Sequence, residues 1–110
     1  MMDKVNLKEK IKEIAGRPWY PVEVARVNDQ VIRMALCKGV YHWHKHTNED
    51  ELFYVLKGEL IIETRQPYSS ITLQEGELTV IPKGIEHRPK STRDTYILMF
   101  EPYLLKSAGD

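Results

Sequence analysis

Three of the chain's four histidines fall within ten residues, His42–Glu51, which read HWHKHTNEDE. The fourth, His87, lies in a second short segment, IPKGIEHRP. On an extended strand, successive side chains point to opposite faces. His44 and His46, two apart, then share a face, and His42 has the same parity. Imidazoles stacked on one face each bring a ring nitrogen that needs a partner when buried. A divalent metal ion supplies one, because neutral imidazole ligates zinc, iron, copper and nickel. Glu51 follows the polar turn Thr47-Asn48-Glu49-Asp50 and opens an apolar run, LFYVL. If that run pairs antiparallel with the histidine strand, Glu51 lands near His46 and adds an oxygen donor to the nitrogen donors.

The second segment must deliver His87 to the same place. In QEGELTVIPKGIEHRP, Gly76 relaxes a tight turn and LTVI reads as a buried strand. Pro82-Lys83-Gly84 fits a type I turn with proline second and glycine fourth. Such a turn aims His87 back toward the first segment. Alone, His87 would read as an ordinary core or surface residue. Beside three concentrated histidines it reads as a further metal ligand.

The rest of the chain is the scaffold for these two segments. Its 110 residues suffice for one compact domain with one core. Lysine plus arginine equal aspartate plus glutamate at 16 each, so formal net charge is zero. That balance argues against a nucleic-acid or membrane-surface binder, which needs a basic excess. The single cysteine, Cys37, cannot form an internal disulfide, and it reads as a small apolar strand residue. With no signal-like or bilayer-length apolar stretch, a cytoplasmic location is expected.

Residues 1–16 suggest one amphipathic helix. Asn6 can cap it, Glu9 can reciprocate, and Gly16 suits its end. Leu7, Ile11 and Ile14 share its apolar face. Pro18-Trp19-Tyr20-Pro21 is an extended connector. Nine strand-like runs follow: VEVARV, QVIRMALC, YHWHKH, ELFYVL, ELIIET, SSITL, ELTVIP, EHRPK and TYILMF. Their regular spacing predicts an all-β antiparallel sandwich or barrel over 17–105. Residues 106–110 read as a frayed, flexible tail. In ELFYVL, if Glu51, Phe53 and Val55 face inward, then Leu52, Tyr54 and Leu56 face outward. Both faces are apolar, so the other sheet, the helix or a second subunit must cover the outer one. A homodimer is expected.

Together the two segments resemble the cupin family. Its first motif is a glycine, HxH, three or four residues, a glutamate, six residues and a glycine. This chain has His44-x-His46, four residues, Glu51, six residues and Gly58. Its second motif is a glycine, five residues, PxG, two residues, a histidine, three residues and an asparagine. Gly76, Pro82, Gly84 and His87 match that spacing. Gly39 lies one residue too close to His44, which points to a bulge or a different turn, and Ser91 replaces the asparagine. The resemblance implies a jelly-roll β-barrel with an N-terminal helix, and ligand roles for His44, His46, Glu51 and His87. The chain is similar to the small single-domain cupins often labelled mannose-6-phosphate isomerase-like, although a fold does not carry a reaction with it.

Three imidazoles and a carboxylate leave two positions open on an octahedral ion. The expectation is one divalent ion per chain, drawn from Fe, Mn, Zn, Ni, Co or Cu, with a small molecule as ligand or substrate. A metal-dependent oxygenase or isomerase, a binding protein without turnover, and a metal that only stabilises the fold all fit. Three roles are open to His42: acid/base or partner beside the metal, buried structural histidine, or alternative ligand. Phe53 and Val55 face inward, with Met34 and Met99 as further candidates. Arg33, Arg88 and Glu63 could reach a pocket mouth. No convergent set of cations suggests a phosphosugar.

Overall fold

The computed structural model describes residues 2–110. One helix precedes seven strands: α1 (Leu7–Ile14), β1 (Val22–Val27), β2 (Gln30–Val40), β3 (Glu51–Lys57), β4 (Glu59–Thr64), β5 (Ile71–Gln74), β6 (Leu78–Ile81) and β7 (His87–Pro102). The strands pair antiparallel in the order β1-β2-β7-β3-β6, and β4 pairs with β7 and β5. This is the all-β antiparallel architecture that the strand spacing predicts, in the jelly-roll form that the resemblance implies.

The runs EHRPK and TYILMF, expected as two strands, form the single strand β7. Its first residues pair with β4, as in Lys90 opposite Ile61. Its last residues pair with β3, as in Phe100 opposite Leu52. The register against β2 shifts between Cys37 and Gly39, where Gly39 has φ +85°. The step from Cys37 to Gly39 on β2 matches four residues on β7, Thr95 to Ser91, so the extra residues lie on β7. β7 therefore folds over around Ser91–Thr95 and contributes to both layers.

A knot of hydroxyls closes the barrel at this fold. The Ser91 and Thr95 hydroxyls lie 2.8 Å apart, and Ser91 Oγ donates to the Glu59 carbonyl at 3.0 Å. Thr95 Oγ1 accepts from the Glu59 amide at 3.1 Å. Beside it, a Cβ on Gly58 would stand 2.5 Å from Thr95 Oγ1, and φ there is +102°. Only glycine fits such a position. From this closed end β3 leads back to Glu51, and the two arms of β7 lead to His87 and Glu101. These three residues meet at the opposite, open end.

Inside the barrel pack Ala35, Cys37, Phe53, Val55, Leu60, Ile62, Leu73, Ile81, Ile97 and Met99. Met34 points the other way, into a second cluster with Ile14, Val22 and Leu36. The helix is shorter than the 1–16 expected. Asn6 is held extended as the cap, its side chain accepting from the amides of Lys8 (2.8 Å) and Glu9 (3.2 Å). The chain leaves the helix at Ala15, which is left-handed with φ 54°, one residue before Gly16. Leu7, Ile11 and Ile14 do form the inner face, with Ile14 buried, and they join the cluster on the outer sheet surface in which Leu56, Tyr96 and Leu98 also pack against Ile14, Val22, Met34 and Leu36. Leu78, Val80 and Phe100 stay exposed at 56%, 49% and 37%, so the helix covers only part of that surface.

YHWHKH, expected as a strand, is an irregular segment. His44 forms an isolated bridge with His87, through bonds of 3.0 and 2.9 Å exchanged between their backbones. The Tyr41 amide reaches Pro89, and the His46 carbonyl accepts from Gly84. These partners satisfy the backbone without a continuous ladder.

Candidate metal centre

His44, His46, Glu51 and His87 converge at the open end, each offering one donor atom, all within 4.8 Å of one another. Glu51 is the first residue of β3 and His87 the first of β7. The turn before His87 closes through Ile85 N to Pro82 O at 3.3 Å, with Lys83 and Gly84 central. It is therefore shifted by one residue from the turn read in the sequence, and Gly84 has φ +83°. Gly84 N donates to the His46 carbonyl at 2.8 Å, and Lys83 N to the Asp50 carboxylate at 2.8 Å. The turn is thus tied to the histidine segment.

All four side chains are buried: His44 8%, His46 2%, Glu51 2% and His87 0% exposed. His44 Nδ1 lies 3.0 Å from the His42 carbonyl, and His87 Nδ1 lies 2.9 Å from the Ile85 carbonyl. A carbonyl only accepts, so both Nδ1 atoms carry the proton and both Nε2 lone pairs are free. Burial lowers His44 to about 4, against the pull of the His42 carbonyl. Burial likewise lowers His46 and His87 and raises Glu51. At neutral pH the imidazoles are neutral, the form that binds metals.

Glu51 Oε1 stands 3.2 Å from His46 Nε2 and 3.9 Å from His87 Nε2. These three atoms are buried without hydrogen bonds. Unpartnered buried polar atoms are rare and costly. Donors on one ion at ~2.1 Å lie at most ~4.2 Å apart. The cluster's 4.8 Å span exceeds that limit by about 0.6 Å, and its nitrogen and oxygen donors suit a divalent first-row ion.

A second carboxyl lies directly behind. Glu101, wholly buried, adjoins Glu51 and accepts from Arg33 Nη1 at 2.7 Å. Burial and the Glu51 carboxyl push Glu101 up to about 9, against Arg33. A cavity of about 40 Å³ opens onto His44 and Glu51 between apolar walls that include Trp19, Phe53, Ile97 and Met99.

Residues 36–101 match the Cupin_2 family, described as a cupin domain. The chain is a cupin. A cupin-2 domain protein from Shewanella frigidimarina superposes with a TM-score of 0.83 at 37% identity, covering 89% of this chain and 93% of that one. Bacillus subtilis YdbB is 40% identical over 78 residues, 71% of this chain and 68% of its own. A 3-hydroxyanthranilate 3,4-dioxygenase of Aspergillus fumigatus is 29% identical over 79 residues. The cupin spans only 38% of that enzyme.

His42 lies outside the cupin's four-donor cluster. Its ring is exposed, 5.3 Å from that of His44, and Nε2 donates to the Ala108 carbonyl at 2.8 Å. Strand parity misplaces it because residues 42–44 are not a strand. Residues 106–110, expected to fray, dock on this segment. Asp110 N donates to the Lys45 carbonyl at 3.0 Å, and Thr47 N to the Asp110 carboxylate at 2.6 Å. Arg33 serves Glu101 rather than a pocket mouth, and Arg88 Nε bonds Glu63 at 2.9 Å. Glu101 escapes the sequence reading, although Thr95, Ile97 and Met99 give its inward parity.

Proposed function

We propose that this cupin binds one divalent metal ion through His44, His46, Glu51 and His87, and uses it to catalyse an oxygenase-type reaction on a small molecule. The observation that carries this reading is the cavity meeting the donor cluster at His44 and Glu51, so that a ligand in the cavity reaches the metal positions. The bound ion would supply Lewis acidity or, if iron, manganese, copper or nickel, electron exchange with oxygen. The chain's own residues do the rest. The carbonyls of His42 and Ile85 fix two imidazoles in the ligating tautomer, Glu101 and Arg33 hold Glu51, and the apolar walls exclude water. Through its bond to Ala108, the His42 ring anchors the 106–110 segment over the site.

The dioxygenase relative supports oxygen chemistry. Isomerisation of a phosphosugar would want converging cations, and no lysine or arginine lines the cavity among the described residues. Elemental analysis of purified protein, followed by a substrate screen in air and under nitrogen, tests the reading. Metal near one ion per chain and oxygen-dependent turnover are expected. Ligand binding without turnover would leave a binding protein instead.

The partly covered outer surface favours a homodimer. Leu52 pairs with Val80 and Phe100, and Tyr54 with Leu78, which makes one exposed apolar face. Light scattering that returns a monomer at micromolar concentration would refute it. We place this cupin in the cytoplasm, in keeping with its lone buried Cys37. Among the described residues, no helix is long and apolar enough to cross a membrane.

A further inference from the structure

The 106–110 segment lies directly on one of the four donors. A turn bends it back, closed by the Gly109 amide on the Lys106 carbonyl at 2.9 Å. Gly109 has φ +94°, and a Cβ there would stand 2.6 Å from His44 Cβ and 3.2 Å from His44 Cδ2. Cδ2 is bonded to Nε2, the ring atom left free to ligate. Only bare backbone fits against that edge of the imidazole. Ser107, from the same turn, forms part of the wall of the cavity beside His44 and Glu51.

The segment is fixed at one end and lightly held beyond it. Leu105 is buried, and its carbonyl accepts from Arg33 Nη1 at 3.3 Å. After it, Lys106, Ala108 and Asp110 are exposed. No residue from 106 to 110 belongs to either apolar cluster. Three hydrogen bonds hold the segment to the histidines' stretch of chain. The Ala108 carbonyl accepts from His42 Nε2 at 2.8 Å, the Lys45 carbonyl from Asp110 N at 3.0 Å, and the Asp110 carboxylate from Thr47 N at 2.6 Å. Exposed hydrogen bonds without buried apolar contacts mark a segment that opens locally at low free energy.

The closed arrangement leaves little room beneath it. The cavity's roughly 40 Å³ holds a few waters, whereas a cavity of about 150 Å³ takes benzene. An organic molecule therefore reaches His44 and Glu51 only when a wall moves. Ala35, Cys37, Phe53, Ile97 and Met99 on those walls belong to the packed barrel core, but Ser107 stands on the lightly held segment.

We propose that residues 106–110 are a strap that gates the donor cluster. It swings about Leu105 to admit an ion or a ligand, and it closes by laying Gly109 on His44. Gating of the ion rests on the metal reading above, whereas the opening itself does not.

Two full-chain variants release the strap. Gly109→Ala drives a methyl group into His44, and Asp110→Ala removes the bond to Thr47 without adding bulk. Metal-free protein is treated with diethyl pyrocarbonate, which acylates accessible neutral imidazoles, and each histidine is followed by peptide mass spectrometry. His44 should react about threefold to tenfold faster in both variants than in the parent, the equivalent of one lost hydrogen bond. His87, wholly buried, should stay protected and so report an intact barrel. Cobalt(II) exchange is the second readout. A gate is the same passage in both directions, so uptake and release to a chelator should each speed up by a similar factor at unchanged Kd. Unaltered His44 reactivity in both variants overturns the proposal. A weaker Kd at an unaltered uptake rate also overturns it, because the segment would then support His44 rather than gate it. If the parent takes up no cobalt, the metal reading fails by itself, and His44 reactivity still decides the strap.

Discussion

Removing the metal should lower the melting temperature by an amount set by the donor cluster. Without an ion, His46 Nε2, Glu51 Oε1 and His87 Nε2 are buried and unpartnered. Each such atom costs ~1–3 kcal/mol, so the three leave ~3–9 kcal/mol for a ligand to recover. Linkage gives an independent figure: metal at ~1000 times Kd adds ~4 kcal/mol. At ~4 °C per kcal/mol for a chain of this size, the metal-loaded protein should melt about 16 °C higher. The assay is calorimetry of metal-loaded and chelator-treated protein, with metal content measured on each sample. His87→Leu is the matched control. It removes one donor and fills the space of a residue that is 0% exposed. Its metal-free form should melt within a few degrees of the metal-free parent, and the metal increment should collapse. An unchanged melting temperature on chelation of metal-loaded protein would refute the reasoning. So would a full increment in His87→Leu.

Four further outcomes follow from particular residues. His44 is lowered to about 4 from 6.5, so between those values the unfolded chain binds the proton that the native site refuses. Metal-free protein should therefore lose up to about 3 kcal/mol as pH falls through this window, and urea midpoints that stay flat there would contradict it. Glu101 has the opposite sign: raised to about 9 from 4.5, it stabilises below the lower value and loses that contribution as pH rises through the upper. Glu101→Gln mimics the protonated carboxyl and should flatten the alkaline limb of the same urea profile. Gly58→Ala, clashing with Thr95 Oγ1 at φ +102°, should cost about 3 kcal/mol or more. Gly76→Ala, with nothing within 4 Å, should cost only the strain of its positive φ, about 1 kcal/mol, by the same denaturation assay.

The cluster was legible where local chemistry decided position. Glu51, Phe53 and Val55 alternate inward as their spacing predicts, because β3 is a regular strand with one face in the core. His87 was legible from its turn, even though that turn is displaced by one residue. The histidine segment was misread as a strand because its backbone partners are distant: Pro89, His87 and Gly84. No local pattern reports such pairing. The 106–110 segment looks like a polar end, yet besides the Asp110 carboxylate it docks through the Ala108 carbonyl and the Asp110 amide, main-chain atoms that carry no signature in residue type. A Cβ on Gly109 would stand 2.6 Å from His44 Cβ, a contact visible only in three dimensions. Glu101 was hidden differently. Its parity was available, but the apolar run TYILMF ends before it, so the carboxyl looked like the start of a loop.

The doubled-over β7 also governs the order in which the molecule is built. It comes after every other element and supplies the partners of β2, β3 and β4. A chain growing on the ribosome therefore exposes His44, His46 and Glu51 while His87 is still to be made. Those earlier strands wait with open edges, the stage at which a nascent protein is most vulnerable to sticking to its neighbours. The four-donor cluster is therefore complete only once β7 has closed the barrel.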